Sequence, residues 1–302
     1  MLQLDTAGSR ALCNLRTRLD LPPRWNTYDE LEQRTDELTA MFLDERFDVS
    51  KELGTTYFMA ELVDRSLRTD EMEIMDSEKV PAAEKLDMMR SLDRLNSMMM
   101  LYPHYIGIIR PYIEQTALAN KRPARILELA AGTGGLSLAL AEEVQRHGLP
   151  AEITASDIVA SYMEDGRRRA QELSLPVSFR QIDAFDLGTA PPQQYDIILV
   201  SQSLHHFSPG RIAVMIARSK AHGASLFLGM DGHRGPELLA GVPLMAILQG
   251  KKNFMLDGYT SARKFYSESE LKLIAETAIQ SCNFSLNFIW PLSVLAIPLN
   301  GE

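Results

Sequence analysis

An apolar run that stops at a glycine-rich turn and resumes as a helix with an apolar face restricts a chain to few folds, and residues 126–137, ILELAAGTGGLS, form such a run. Gly132 and Gly134 lack a Cβ, so the backbone can turn sharply there and come close to a ligand at the carboxyl end of a first strand. A nucleotide-like ligand belongs at that point of an α/β sheet. The dinucleotide pattern G-x-G-x-x-G needs glycine or alanine at its third crowded position, where this chain has Ser137. Glu128 stands just before the turn, where it would repel a pyrophosphate and hold a cationic amino group.

The surrounding pattern fixes the fold class. Short apolar runs at 125–129, 152–156, 178–182, 195–200 and 225–230 read as strands, and the segments 136–146, 159–173 and 209–221 between them read as helices. Strands separated by helices of this length pair in parallel through right-handed crossovers. Residues 284–290 and 292–298 are two extended runs parted only by Pro291, so they are expected to pair antiparallel as a hairpin at one side. The expected fold is α/β: a doubly wound, mostly parallel, seven-stranded sheet with an antiparallel C-terminal hairpin, preceded by an all-helical N-terminal region.

That region, residues 1–120, is expected to cap the substrate, with residues 121–302 as the cofactor-binding domain. Thr27 followed by Glu30 is a capping-box signature that opens a helix with apolar residues Leu31, Leu38, Met41 and Phe42. Pro81 suits the first turn of another helix. Met88, Met89, Met98, Met99, Met100, Tyr102, Tyr105 and Tyr112 read first as helix core and second as the wall of an adaptable apolar pocket.

Composition narrows the partners. The chain has 302 residues, 45% hydrophobic and 24% charged, with no apolar run near the roughly 20 residues that span a bilayer. No signal or transit peptide is readable, which places the protein in the cytoplasm. A net charge of -9 argues against nucleic acid, and Arg167, Arg168 and Arg169 read as solvated helix surface. Cys13 and Cys282, far apart, read as buried small hydrophobes rather than as a disulfide or a zinc site.

Glu128-Leu-Ala-Ala-Gly-Thr-Gly134 resembles the first motif of class I S-adenosylmethionine-dependent methyltransferases, with Ala130 in place of the commonest glycine. Asp157, at the end of the second strand, stands where a carboxylate accepts both ribose hydroxyls. The resemblance implies that Glu128 meets the methionyl amino group and that the backbone of Gly132 and Gly134 passes beneath the cofactor. It further implies that Ile158 faces the adenine, that Asp183 and Ala184 receive the adenine amino group, and that Ser201 joins this set. S-adenosyl-L-homocysteine would be the product.

Residues 201–209, SQSLHHFSP, follow the fourth strand. Methyl transfer from a sulfonium needs an acceptor held close and deprotonated, so His205 or His206 is expected as the base, with a structural role weighed equally for each. Asp231 and His233, after the fifth strand, could orient that base or bind the acceptor. No metal is expected, because Ser201 and Gln202 stand where metal-dependent relatives place an acid.

Residues 257–271, DGYTSARKFYSESEL, and Leu92-Asp-Arg-Leu-Asn96 are similar to segments of bacterial small-molecule methyltransferases, some encoded beside polyketide synthases. The expected acceptor is therefore small and partly apolar, most plainly the hydroxyl of an aromatic or polyketide-like compound. C- or N-methylation, or a cofactor-binding accessory protein without catalysis, are the alternatives. A homodimer is left open, and no resemblance is read for residues before about 67.

Overall fold

The computed structural model describes residues 2–189, 194–247 and 252–300. Its seven strands are β1 (Ala124–Leu129), β2 (Ala151–Asp157), β3 (Val177–Gln181), β4 (Ile197–Ser201), β5 (Leu226–Gly232), β6 (Ser285–Ile289) and β7 (Leu292–Pro298). They form one sheet in the order β3-β2-β1-β4-β5-β7-β6. The first five are parallel, while β7 runs antiparallel to both β5 and β6. This is the expected topology, and the strand order reverses between β1 and β4, the crevice where such sheets bind ligands.

The central strands are mostly apolar because both faces are covered. Leu127, Leu129, Ile198 and Val200 enter one core with α8 (Pro209–Ala221) and α11 (Glu268–Ile279). Ile126, Ile197 and Leu199 enter the other with α5 (Leu101–Asn120) and α6 (Gly135–His147). Helix α7 (Ala160–Leu173) packs on β2 and β3. β4 begins two residues later than the pattern suggests, because Asp196 is diverted: its carboxylate accepts from Arg125 N at 2.8 Å and pairs with Arg122.

Before the sheet come α1 (Leu2–Arg18), α2 (Tyr28–Leu53), α3 (Thr55–Leu67) and α4 (Ala82–Met98). Leu31 of α2 joins the core beneath α8. Leu38 and Phe42 pack with Leu12 and Leu15 of α1 and Leu273 of α11, but Met41 lies 44% exposed, off that face. Thr27 caps α2 by accepting from Glu30 N, while the Glu30 side chain reaches one residue past the capping-box position, to Asn26 N. Pro81 precedes α4 as its N-cap rather than lying in its first turn.

The methionine-rich segment divides. Met88 and Tyr105 are buried, whereas Met98, Met99 and Met100 are exposed at the turn between α4 and α5, where the chain reverses through a left-handed Met100. Both cysteines are exposed rather than buried, Cys13 on the outer side of α1 and Cys282 beyond α11. After β5 come α9 (Pro236–Ile247) and α10 (Lys252–Lys264). No helix among the described residues is long and apolar enough to cross a membrane.

A buried ionic cluster ties these layers together. Asp64 of α3 accepts from Arg234 Nε at 2.6 Å, Arg68 Nε at 3.0 Å and Arg46 Nη2 at 2.5 Å. Arg46 also pairs with Glu61, and Arg68 grips Glu270 of α11 through two hydrogen bonds of 2.7 and 2.9 Å. Burial alone would push the carboxyl of Asp64 up, but the surrounding guanidinium groups hold it far below the usual range. Removing one partner from such a cluster strands a buried charge, at a cost of about 3 to 5 kcal/mol. Asp64→Ala is expected to lose that much stability in urea unfolding, whereas Arg10→Ala, which breaks the exposed Arg10–Glu52 pair, should lose less than about 1 kcal/mol. Equal losses would show that the cluster is not what holds the layers.

Candidate active site

The glycine turn is held from three sides. Ala130, Gly132 and Gly134 all have positive φ, and Gly134 opens α6 with Phe179 and Ala155 packed where its Cβ would stand. Asp157 ends β2 and accepts from Gly132 N and from Val159 N, both at 2.9 Å. Burial pushes its carboxyl up, held back by these backbone donors. From above, Met89 of α4 touches Gly132, and Asp93 accepts from Thr133 Oγ1 at 2.9 Å and from Tyr102 at 2.8 Å. Asp93 also pairs with Arg169, which turns inward from the otherwise solvated arginine run.

Glu128 lies beneath this turn, 1% exposed. Burial lifts its carboxyl to about 7, against the lowering effect of the Ser137 and Ser201 hydroxyls, each donating at 2.6 Å. A carboxylate has about four acceptor positions, so with the Ser137 backbone also bonding to it, capacity remains for one further donor. Ser137, the residue that breaks the dinucleotide pattern, and Ser201 therefore share this carboxylate. At the same edge Ile158 is 60% exposed, and Asp183 is exposed with its Oδ1 accepting from Phe185 N at 2.9 Å. Ala184 beside it is buried.

The histidines stand past β4. Gln202 takes a left-handed conformation and is fixed by Asn96 of α4 at 2.8 Å and the Tyr105 hydroxyl at 2.6 Å. The chain then forms a 3-10 turn, Leu204–His206. Asp231 Oδ2 accepts from both the backbone N and Nδ1 of His205 at 2.8 Å, and its Oδ1 accepts from Gly232 N. Burial alone would push the Asp231 carboxyl up, but His205 outweighs it and the net shift is downward. His206 Nδ1 meets Asp76 Oδ2 at 2.9 Å. Burial pushes this imidazole down, yet Asp76 and Glu73 outweigh it and lift it to about 9. His233 takes no part here: it meets Ser293 at 3.1 Å and packs on Phe288.

Glu73 is the residue sequence reasoning missed. It is 1% exposed, and its carboxylate lies 3.5 Å from His205 Nε2, 3.7 Å from His206 Nε2 and 3.6 Å from Lys264 Nζ. Ser261 donates to its second oxygen at 2.9 Å. The 3-10 turn Ile74–Asp76 beside it is anchored by Asp257, which accepts from Ile74 N and Met75 N and is lifted by burial to about 6. The 257–271 segment thus acts as a bracket. Asp257 and Ser261 fix the Glu73 loop, Arg263 donates to Leu67 O, Phe265 lies edge-on to His205 at 5.0 Å, and Ser267 with Glu270 forms a complete capping box. No spacing within the 67–76 stretch announces a site, because its partners are more than a hundred residues away.

Comparison with known proteins agrees with this geometry. Residues 126–222 match the family model described as a methyltransferase domain. The demethylmenaquinone methyltransferase of Thermus thermophilus is 33% identical over 89 residues, covering 30% of this chain and 38% of that protein. A non-reducing polyketide synthase of Penicillium shearii, esdpA, is 29% identical over 93 residues, covering 31% of this chain and 4% of the synthase. The chain thus spans only a small part of the curated relatives it matches. Among solved structures, the plantazolicin methyltransferase BpumL in complex with SAH aligns with a TM-score of 0.54 at 11% identity, covering 89% of this chain and 98% of the other. BamL, another plantazolicin methyltransferase, gives 0.51 at 15% identity over 68% and 71%; both likenesses are of fold. The methyltransferase-domain match thus spans the glycine turn, Asp157, Asp183 and both histidines, and the seven-stranded sheet around them has the class I methyltransferase fold.

Proposed function

We propose that this protein methylates the hydroxyl of a small, partly apolar aromatic or polyketide-like compound. S-adenosylmethionine, when bound, supplies the methyl group on a sulfonium. The residues present fit such a cofactor: a buried carboxylate at Glu128 with acceptor capacity to spare, Asp157 and Asp183 at the ends of the next two strands, and the exposed apolar Ile158 between them. Glu128 and Asp157 would hold its amino and ribose ends. Helix α4 would keep water from the turn, through Met89 and Asp93.

The observation that carries the acceptor reading is the His205–Asp231 pair. A carboxylate oxygen can only accept, so Asp231 fixes the proton on Nδ1 and turns the Nε2 lone pair toward Glu73 and His206, away from the sheet. An acceptor oxygen brought to that edge meets a polar centre that can favour its ionised form, with Phe265 as an apolar wall. The helical region 1–120 completes the acceptor side, since it contributes Glu73, Asp76, Asp93 and Asn96. The match to a polyketide synthase supports an acceptor of that chemical kind.

Two outcomes are expected. Glu128 must be ionised to hold an ammonium group, and its carboxyl is raised from 4.5 to about 7. A raised acid costs the empty fold stability as pH rises through that window, and cofactor binding must expel the proton below it. Cofactor affinity measured calorimetrically should therefore fall about tenfold per pH unit below 7 and level off above it. Glu128→Gln should remove that dependence; a flat wild-type profile would remove Glu128 from the cofactor site. In a transfer assay with labelled methyl groups and a panel of phenols and hydroxylated polyketides, Asp231→Asn should lower turnover by about a hundredfold to ten-thousandfold, with cofactor affinity within about twofold of wild type. Transfer only to carbon or nitrogen would overturn the hydroxyl reading while leaving the reaction class intact.

A further inference from the structure

We propose that Glu73, His205 and His206 bind one divalent transition-metal ion, zinc(II) or an ion of similar preference, that faces the methyl acceptor. The inference rests on reading this edge as the acceptor site and adds an ion to it.

Both imidazoles are turned the same way. The Nδ1 of His205 meets Asp231 and the Nδ1 of His206 meets Asp76, at 2.8 and 2.9 Å. Since each carboxylate accepts, each Nδ1 carries a proton, so Nε2 is the nitrogen left to ligate, and His206, lifted to about 9, would release its second proton when an ion binds. Metal-binding histidines are held in this way by carboxylates on the second nitrogen, which fix the tautomer and raise the basicity of the ligating one. The two Nε2 atoms and the Glu73 carboxylate converge, with all three donor atoms within 4.8 Å of one another.

Hydrogen bonding does not account for the arrangement. His205 Nε2 and Glu73 Oε1 are buried and neither has a hydrogen-bond partner. Their separation of 3.5 Å, and that of 3.7 Å between His206 Nε2 and Glu73 Oε2, exceed the 2.7 to 3.2 Å of an N–H···O bond. His205 Nε2 and Glu73 Oε1, both buried and unpartnered at that gap, would be satisfied together by a cation that bridges them. A tetrahedral ion with bonds of about 2.0 to 2.1 Å sets its donors about 3.3 Å apart, close to the 3.5 and 3.7 Å between each imidazole and its facing Glu73 oxygen, and the three donors would draw together from within 4.8 Å. Lys264, 3.6 Å from Glu73 Oε1, offsets the charge of the carboxylate but leaves His205 Nε2 without a partner.

Two imidazoles and a carboxylate suit zinc and its neighbours, and three protein donors leave a position open. An acceptor hydroxyl that reaches that position has its pKa lowered by the ion and releases its proton to solvent, so the imidazoles serve as ligands rather than as the base.

The full-length protein, stripped with chelator and desalted, is titrated with zinc chloride by calorimetry and with cobalt(II) chloride by visible absorption. One equivalent should bind, and cobalt should develop the visible bands of a nitrogen- and oxygen-ligated site. Glu73→Gln and His206→Ala should each weaken zinc binding by about a hundredfold, and Asp76→Asn by about ten- to a hundredfold. S-adenosylmethionine affinity, measured on the same variants, should stay within about twofold and reports that each is folded. Zinc binding below one equivalent at micromolar protein, or undiminished in both Glu73→Gln and His206→Ala, would overturn the proposal. Methyl transfer at full rate by metal-free protein would sink the ion and leave the methyltransferase reading; zinc bound in one equivalent without transfer to any acceptor would do the reverse.

Discussion

Asp64 is the point on which the layers of this protein converge. It receives Arg46 from its own helical layer, Arg68 from the segment that leads to Glu73, and Arg234 from just beyond the strand that carries Asp231. Arg234 also donates to the carbonyls of Arg263 and Phe265, and Arg68 reaches Glu270. Six buried or half-buried charges, Arg46, Arg68 and Arg234 against Glu61, Asp64 and Glu270, balance one another. Charges taken out of water gain little net stability even when paired, and their better-attested value is in fixing one arrangement against others. Here the arrangement fixed is the distance between two chain segments that share no local sequence.

That distance matters because the site is assembled from segments far apart in the chain. Glu73 and Asp76 come from a short loop before α4, and Asp231 from the end of β5. Unless the loop and the strand are locked together, the imidazoles between them have no defined partners. The 257–271 bracket does the local part of this work, with Asp257 satisfying two backbone donors of the loop at once. The buried ionic cluster does the global part. A site supported in this way is pre-organised before any ligand arrives, which is what catalysis by positioning requires.

The sheet was legible because its determinants are local. Short, largely apolar runs of five to seven residues mark these strands, and the glycine turn can be read in six residues. The carboxylates at strand ends were legible for the same reason, and each lies at the carboxyl edge. The misreadings have a common cause. Met98, Met99 and Met100 have core-like chemistry but fall on a turn, and Cys13 has helical neighbours but faces outward. Burial depends on which face a partner covers, and composition does not say which. Glu73 was beyond reach altogether, since one glutamate among several in an acidic loop carries no pattern until Asp257 and Lys264 fold against it.

The match over residues 126–222 therefore divides the chemistry in two. It contains the glycine turn, Asp157, Asp183 and both histidines, but not Glu73, Asp76, Asp231 or Lys264. Every group that sets the tautomer or charge of the imidazoles lies outside it. A buried polar atom left without a partner costs about 1 to 3 kcal/mol, and the cluster holds two of them, His205 Nε2 and Glu73 Oε1. Such a cost is tolerated where function needs the atom free, and here the two atoms face each other 3.5 Å apart beside His206. The matched domain thus carries the glycine turn and the strand-end carboxylates, while the groups that partner the imidazoles come from the segments that flank it.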